Sequence, residues 1–336
     1  MKKRIVVVCP GRGSYTKETH GYMNRYRPRF EDFIGAIDDR RASLGEITVS
    51  DLDRAQVFKP QVHTLGENAS PLIYACSYLD FLNLDPEQYE VVAVTGNSMG
   101  WYIALAVGGA LDVEGSFRVI NTMGSMMKGH IVGGQMIYPI VDQEWRTDLQ
   151  KKNQVEAAIR EVNELDGSEA YLSIRLGGYA VIAGNQKALD FLLKKLPKTE
   201  QYPFQLVNHA AFHTPMLMET SQRAFETLPR EIFSRPEIPM IDGRGVIWTS
   251  YGTDVDALYD YTFGHQVTQT YDFTAAVSVA LKEFCPDQVV LLGPGNTLGG
   301  VVGQILVSHC WKDIDSKAAF SVRQKESPFL ISLGLR

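Results

Sequence analysis

The sequence is poor in the features that would assign it cheaply. It has four cysteines in 336 residues, Cys9, Cys76, Cys285 and Cys310, and no two lie at CxxC spacing. A disulfide framework and a zinc site are therefore not expected, and buried reduced thiols are. No apolar run approaches the roughly 20 residues a bilayer span needs; the longest uncharged stretch is Trp101–Leu111. The start, MKKRIVVVCPGRG, has an apolar run only from Ile5 to Cys9, short of the about seven to fifteen residues of a signal peptide, and reads as a first strand. Basic residues are in deficit, 33 against 39 acidic, for a net charge of −6. That speaks against broad nucleic-acid or membrane-surface binding. There is no GKS or GKT phosphate loop, no HExxH motif, no internal repeat and no low-complexity segment. A cytoplasmic enzyme with no bound cofactor or metal, no nucleic-acid partner and no membrane partner is the expectation.

What is present is a hydrophobic fraction of 45% and a charged fraction of 21%, ordinary for a globular chain. This length suggests about two domains, or one with an insertion. Three short β-branched runs, RIVVVC (4–9), EVVAVT (90–95) and QVVLL (288–292), each end in glycine: Pro10-Gly11-Arg12-Gly13, Gly96 and Gly293-Pro294-Gly295. Each precedes a helix-compatible segment, so they predict a mostly parallel α/β sheet. Ligands bind such sheets at the carboxyl ends of strands, so the three turns should face one crevice. Between 128 and 206 the periodicity predicts strands at 136–141, 171–176, 179–184 and 202–207 and helices at 154–165 and 186–196. The order β-α-β-β-α-β is the ferredoxin-like unit. The fold class expected is α/β: a large α/β-hydrolase-like domain (1–127 and 207–336) with an inserted ferredoxin-like small subdomain (128–206).

The sharpest local signal is Gly96-Asn97-Ser98-Met99-Gly100. A GxSxG between a strand and a helix is a nucleophile elbow, with Ser98 Oγ lifted clear of the sheet. A serine hydroxyl needs a base. Of seven histidines, His213 lies in AAFHTPM (210–216), where Pro215 should open a helix; His209 is a rival. The glycines of Pro10–Ser14 would let backbone N–H groups approach a substrate oxygen, forming an oxyanion hole with the Met99 N–H. A dinucleotide loop is the poorer reading, because Thr16 fills the third glycine position.

Together these segments resemble the malonyl-CoA:acyl-carrier-protein transacylase family, which includes the acyltransferase domains of fatty-acid and polyketide synthases. PGRGS (10–14) is similar to its PGQGSQ loop, GNSMG (96–100) to GHSxG, VIAG (181–184) to a strand of its small subdomain, AFHTP (211–215) to the segment with its histidine, and LGPGNTL (292–298) to its late GPGxxL turn. The resemblance implies acyl transfer from acyl-CoA to the phosphopantetheine thiol of an acyl carrier protein through an acyl-Ser98 ester. It implies His213 as base, Met99 and Arg12 N–H groups as oxyanion donors, and a backbone carbonyl near Asp272 orienting the imidazole.

Four positions depart from the family pattern. Met123, in NTMGSMM (121–127), stands where the family arginine pairs with the malonyl carboxylate. Arg12 replaces the loop glutamine, Asn97 the histidine before the nucleophile, and Trp101 the polar residue after the elbow. Either Arg12 supplies the cation from another wall, or Met123 and Trp101 make an apolar pocket for an uncharged acyl group; Asn97 and Phe212 are further substrate-binding candidates. An acyl hydrolase and a non-catalytic docking module are the competing functions. An acidic carrier would meet Lys194, Lys195, Lys198, Arg40 and Arg41.

Overall fold

The computed structural model describes residues 1–335. Its strands are, in chain order, β1 (Lys3–Cys9), β2 (Tyr89–Gly96), β3 (Gly134–Pro139), β4 (Ala170–Leu176), β5 (Tyr179–Gly184), β6 (Phe204–Gln205), β7 (Met240–Ile241), β8 (Ile247–Trp248), β9 (Tyr271–Asp272), β10 (Gln288–Leu291) and β11 (Leu330–Ser332). The first sheet has the order β11-β10-β1-β2-β7-β8. Every pairing is parallel except β7 with β8. The three runs that end in glycine are its adjacent central strands: Val6 pairs with Val289 on one side and Ala93 on the other. Ile5–Val8 are buried on both faces, which is why that run is continuously apolar instead of alternating.

The second sheet has the order β6-β3-β5-β4-β9. Pairings among β6, β3, β5 and β4 are antiparallel. Helices Leu149–Asn163 and Gln186–Lys195 cover one face and enclose a small core of their own, around Met136, Tyr138, Val155, Leu189 and Leu192. Asp148 caps the first helix by accepting from Gln150 N and Lys151 N. The strand expected at 202–207 shrinks to Phe204–Gln205. The other end of the sheet gains β9, from far along the chain, parallel to β4. No hydrophobic pattern announces a two-residue strand.

Of the four thiols, Cys9 and Cys76 are buried as expected, but Cys285 and Cys310 are exposed. Both sit at positive φ where helices end, 44° and 46°, so the chain turns outward there. No described helix is long and apolar enough to cross a membrane.

Candidate active site

The elbow is built by exclusion. A methyl group on Gly96 would fall 2.1 Å from Gly100 O, and one on Gly100 would fall 2.4 Å from Cys9 O. Only glycine at both positions lets β2 turn into the helix Gly100–Val107 against the end of β1. Ser98 is held at φ 56°, a left-handed conformation costing about 1–2 kcal/mol for a residue with a Cβ. The loop after β1 approaches just as closely: a methyl on Gly11 would lie 2.7 Å from Asn97 O. Among the described residues, neither Met99 N–H nor Arg12 N–H donates a hydrogen bond within the chain. Two free amides flanking a serine are what an oxyanion hole requires.

His213 reaches Ser98 from the other direction. Its Nε2 is 2.7 Å from Ser98 Oγ. Its Nδ1 is 2.5 Å from the carbonyl oxygen of Gln266. That carbonyl only accepts, so Nδ1 carries the proton and the Nε2 lone pair faces the serine hydroxyl. His213, at φ 59°, is also left-handed. Ser173 Oγ donates to Phe212 O at 2.8 Å, Thr214 Oγ1 donates to Ala211 O at 2.6 Å, and the Tyr271 ring packs at 5.2 Å centroid separation. Tyr271 O–H in turn donates to Gly96 O at 2.5 Å, so one side chain braces both the imidazole and the elbow. Burial, against the Gln266 hydrogen bond, pushes the His213 imidazole down to about 4. The ring is therefore neutral at neutral pH, the form a general base needs.

The carbonyl that orients His213 belongs to Gln266, not to Asp272. The Asp272 amide donates to Gly243 O at 2.7 Å, the residue pairs with β4, and its carboxylate caps the helix Phe273–Phe284 through Ala275 N at 2.8 Å. Gln266 follows a π-turn at Tyr261–His265 and begins a three-residue helix that stops at Thr268. A carbonyl in the last turn of a helix has no partner within it and is free to bind elsewhere. The Gln266 side chain is committed too: Nε2 donates to Ser98 O at 3.2 Å and Oε1 accepts from Tyr102 O–H at 2.8 Å. No local pattern in GHQVTQ marks it.

A cavity of about 500 Å³ opens on Ser98 and His213. Gly11 and Gly13 of the first glycine turn line it, with Asn97 beside the second; past the third turn Thr297 and Leu298 line it, while Gly293, Pro294 and Gly295 do not. Opposite stand Ile137, Ile174, Leu176 and Val181 of the second sheet. Of the residues read as substrate-binding candidates, Arg12, Asn97, Met123 and Phe212 line it and Trp101 does not. The indole is fully buried on the far face of its helix, donating to Thr262 Oγ1 at 3.1 Å and edge-on to Tyr261, while Tyr102 turns to the cavity. His209 lines the wall instead of serving the serine. It shares a hydrogen bond of 2.8 Å with Gln135 Oε1, and burial and the Arg12 charge push it down to about 3.

The candidate docking residues separate. Lys194 and Lys198 are exposed, Lys195 pairs with Glu161 at 2.8 Å, and Arg40 pairs with Glu114 at 2.7 Å. Arg41 is fully buried and can meet no partner. Among the described residues no cluster of three or more His, Cys, Asp or Glu side chains is placed to hold a metal.

No family model matches the chain. Among curated proteins it is 23% identical over 237 residues to the polyketide biosynthesis acyltransferase homolog PksD of Bacillus subtilis, covering 70% of this chain and 67% of that protein. It is 21% identical over 313 residues to a malonyl CoA-acyl carrier protein transacylase of Bacillus subtilis, covering 90% and 71%. An acyl-carrier-protein S-malonyltransferase from Burkholderia pseudomallei superposes with a TM-score of 0.72 at 20% identity, over 91% of this chain and 93% of that one. A malonyl-transacylase solved in complex with a type II polyketide acyl-carrier protein superposes with a TM-score of 0.72 at 16% identity, over 91% and 94%. The chain thus resembles the malonyl-CoA:acyl-carrier-protein transacylases in sequence and shares their fold.

Proposed function

We propose that this chain is an acyl-CoA:acyl-carrier-protein S-acyltransferase that works through an acyl-Ser98 ester in fatty-acid or polyketide biosynthesis. The observation that carries the reading is the chain Ser98 Oγ, His213 Nε2, His213 Nδ1, Gln266 O, opening on one cavity. Neutral His213 takes the proton of Ser98 as the oxygen attacks the thioester carbon. The Met99 and Arg12 N–H groups hold the developing oxyanion, each donor worth about 2.7–4 kcal/mol. Collapse expels the CoA thiolate, which takes the proton from His213. The carrier's phosphopantetheine thiol then gives its proton to His213, attacks the ester and leaves as a new thioester, and the proton returns to Ser98. Of the exposed cations, Lys194 and Lys198 are free to meet an acidic carrier.

No step needs a metal or a resident cofactor; the phosphopantetheine arrives with the partner. The division into 1–127 with 207–336 and 128–206 is supported by the small core around Met136, Tyr138 and Leu189, although Ile174 and Val181 pack into the larger core and β9 joins the second sheet. The strand order β6-β3-β5-β4 supports a ferredoxin-like reading of the subdomain, and the elbow on a mostly parallel sheet supports a hydrolase-like reading of the rest. A cytoplasmic location follows from the intracellular substrates such an enzyme would use.

Intact-protein mass spectrometry after incubation with acetyl-, malonyl- and longer acyl-CoAs tests the reading. One acyl mass on Ser98 that persists for minutes and transfers to carrier is expected, and Ser98→Ala should abolish it. Rapid release of free acid without carrier would make the enzyme a hydrolase. No loading across the panel would return it to a docking module.

A further inference from the structure

Arg12 differs from every other residue on the cavity wall. Its guanidinium turns inward, 5.5 Å from the centre of the Phe212 ring. Only Nη2 is engaged, donating to Thr64 O at 3.1 Å and Asn208 O at 2.9 Å. Nε is buried without a partner, and Nη1 donates to nothing among the described residues. A methyl on Gly66 would lie 3.5 Å from Arg12 Nη1 and 2.5 Å from Gly124 O. The head of the side chain therefore sits near Gly66, where the helix Gly66–Leu82 begins close to the end of the helix Val113–Ser125, and Met123 lines the same cavity. A partly buried cation held by two neutral carbonyls, with its buried Nε left unpaired, is costly unless an anion completes it.

We propose that Arg12 receives the free carboxylate of a dicarboxylic acyl unit of the malonyl type, supplying from the loop after β1 the cation that position 123 lacks. This rests on the acyl-transfer reading above. The two carbonyls hold the guanidinium from one side and leave N–H groups for the planar recognition at which arginine exceeds lysine. The position favours an acyl carboxylate over a CoA phosphate. Arg12 N–H is itself an oxyanion donor in the mechanism above, so its guanidinium lies within one side chain of the thioester carbon. A malonyl carboxylate is one methylene from that carbon, whereas the phosphates lie at the far end of the pantetheine arm. An acetyl methyl group would leave the free donors unmatched.

The test is competition between malonyl-CoA and acetyl-CoA for Ser98, read by intact mass in the wild type, Arg12→Met and Arg12→Lys. The wild type should prefer malonyl. Arg12→Met should lower the malonyl-to-acetyl ratio by about 10–100-fold, and Arg12→Lys by less, because a point charge keeps attraction without the fork. Acetyl loading within each variant reports an intact elbow. Should Arg12→Met not fold, Arg12→Lys carries the test, and an unchanged preference there overturns the proposal. So does a wild type that loads acetyl but not malonyl, with the transferase reading left standing. Both CoA esters carry the same phosphates, so equal losses for both would assign Arg12 to phosphate and also overturn it. Loading by no acyl-CoA at all would remove the transferase reading and this inference together.

Discussion

Two arginines reach the start of the helix Gly66–Leu82, Arg41 fully buried and Arg12 partly buried, and they are finished differently. Arg41 is saturated. Its Nε donates to Ile47 O at 2.5 Å, Nη1 to Glu67 O at 2.9 Å and Asn121 Oδ1 at 2.7 Å, and Nη2 to Asn68 Oδ1 at 2.9 Å. Glu46 supplies a carboxylate 3.1 Å from Nη1. Arg12 has two carbonyls and, among the described residues, no carboxylate partner. Burial lowers its guanidinium to about 10, against the pull of Glu67, and it stays charged at neutral pH. A cation taken out of water does not by itself mark a ligand site. Donors left over inside a cavity do, because a purely structural charge is normally paired and hydrogen-bonded throughout.

The contrast breaks most readily through stability. Arg41→Ala should cost about 3–5 kcal/mol, since it strands Glu46 and several buried acceptors. Arg12→Met should unfold within about 1 kcal/mol of the wild type, because removing an uncompensated charge offsets the two lost hydrogen bonds. Denaturant midpoints read both; equal losses would make Arg12 a structural residue like Arg41. Moving the charge across the cavity is the next largest effect. Met123→Arg in the Arg12→Met background should recover malonyl preference by about tenfold, and a ratio that does not move would mean side chain 123 does not face the acyl group. The smallest effect concerns pH. With His213 pushed down to about 4, the rate of Ser98 acylation should hold nearly level between pH 7 and 5 and fall toward pH 4. Its folded value lies below the ordinary 6.5, so the unfolded chain binds the proton more readily. The related stability is complete above pH 6.5 and is lost as pH falls toward 4. A rate already halved near pH 6.5 would mean that the imidazole is solvated.

Much was legible wherever the signal is short-range. β-branched runs ending in glycine announced the central strands, and GxSxG between strand and helix announced Ser98. The alternation of periods between 128 and 206 announced most of the strands and helices there to within a few residues, apart from the short β6 and from β9, which joins that sheet from outside the stretch. His213 needed the resemblance as well, since His209 sits four residues away and only three-dimensional position separates a base from a wall residue. Trp101 and Arg41 were misread for one reason: a residue's type says how strongly it must be buried or paired, not which way a helix turns it.

The amino-acid order alone therefore determined most of the elements and the elbow. These depend on steric rules acting over a handful of neighbouring residues. Only the tertiary structure decided that Gln266, and not Asp272, orients the His213 imidazole, that Tyr271 braces it, and that Arg12 lines the cavity with donors unspent. Each of those depends on which polar groups remain after every other partner has been taken, and that remainder exists only once distant segments have packed together.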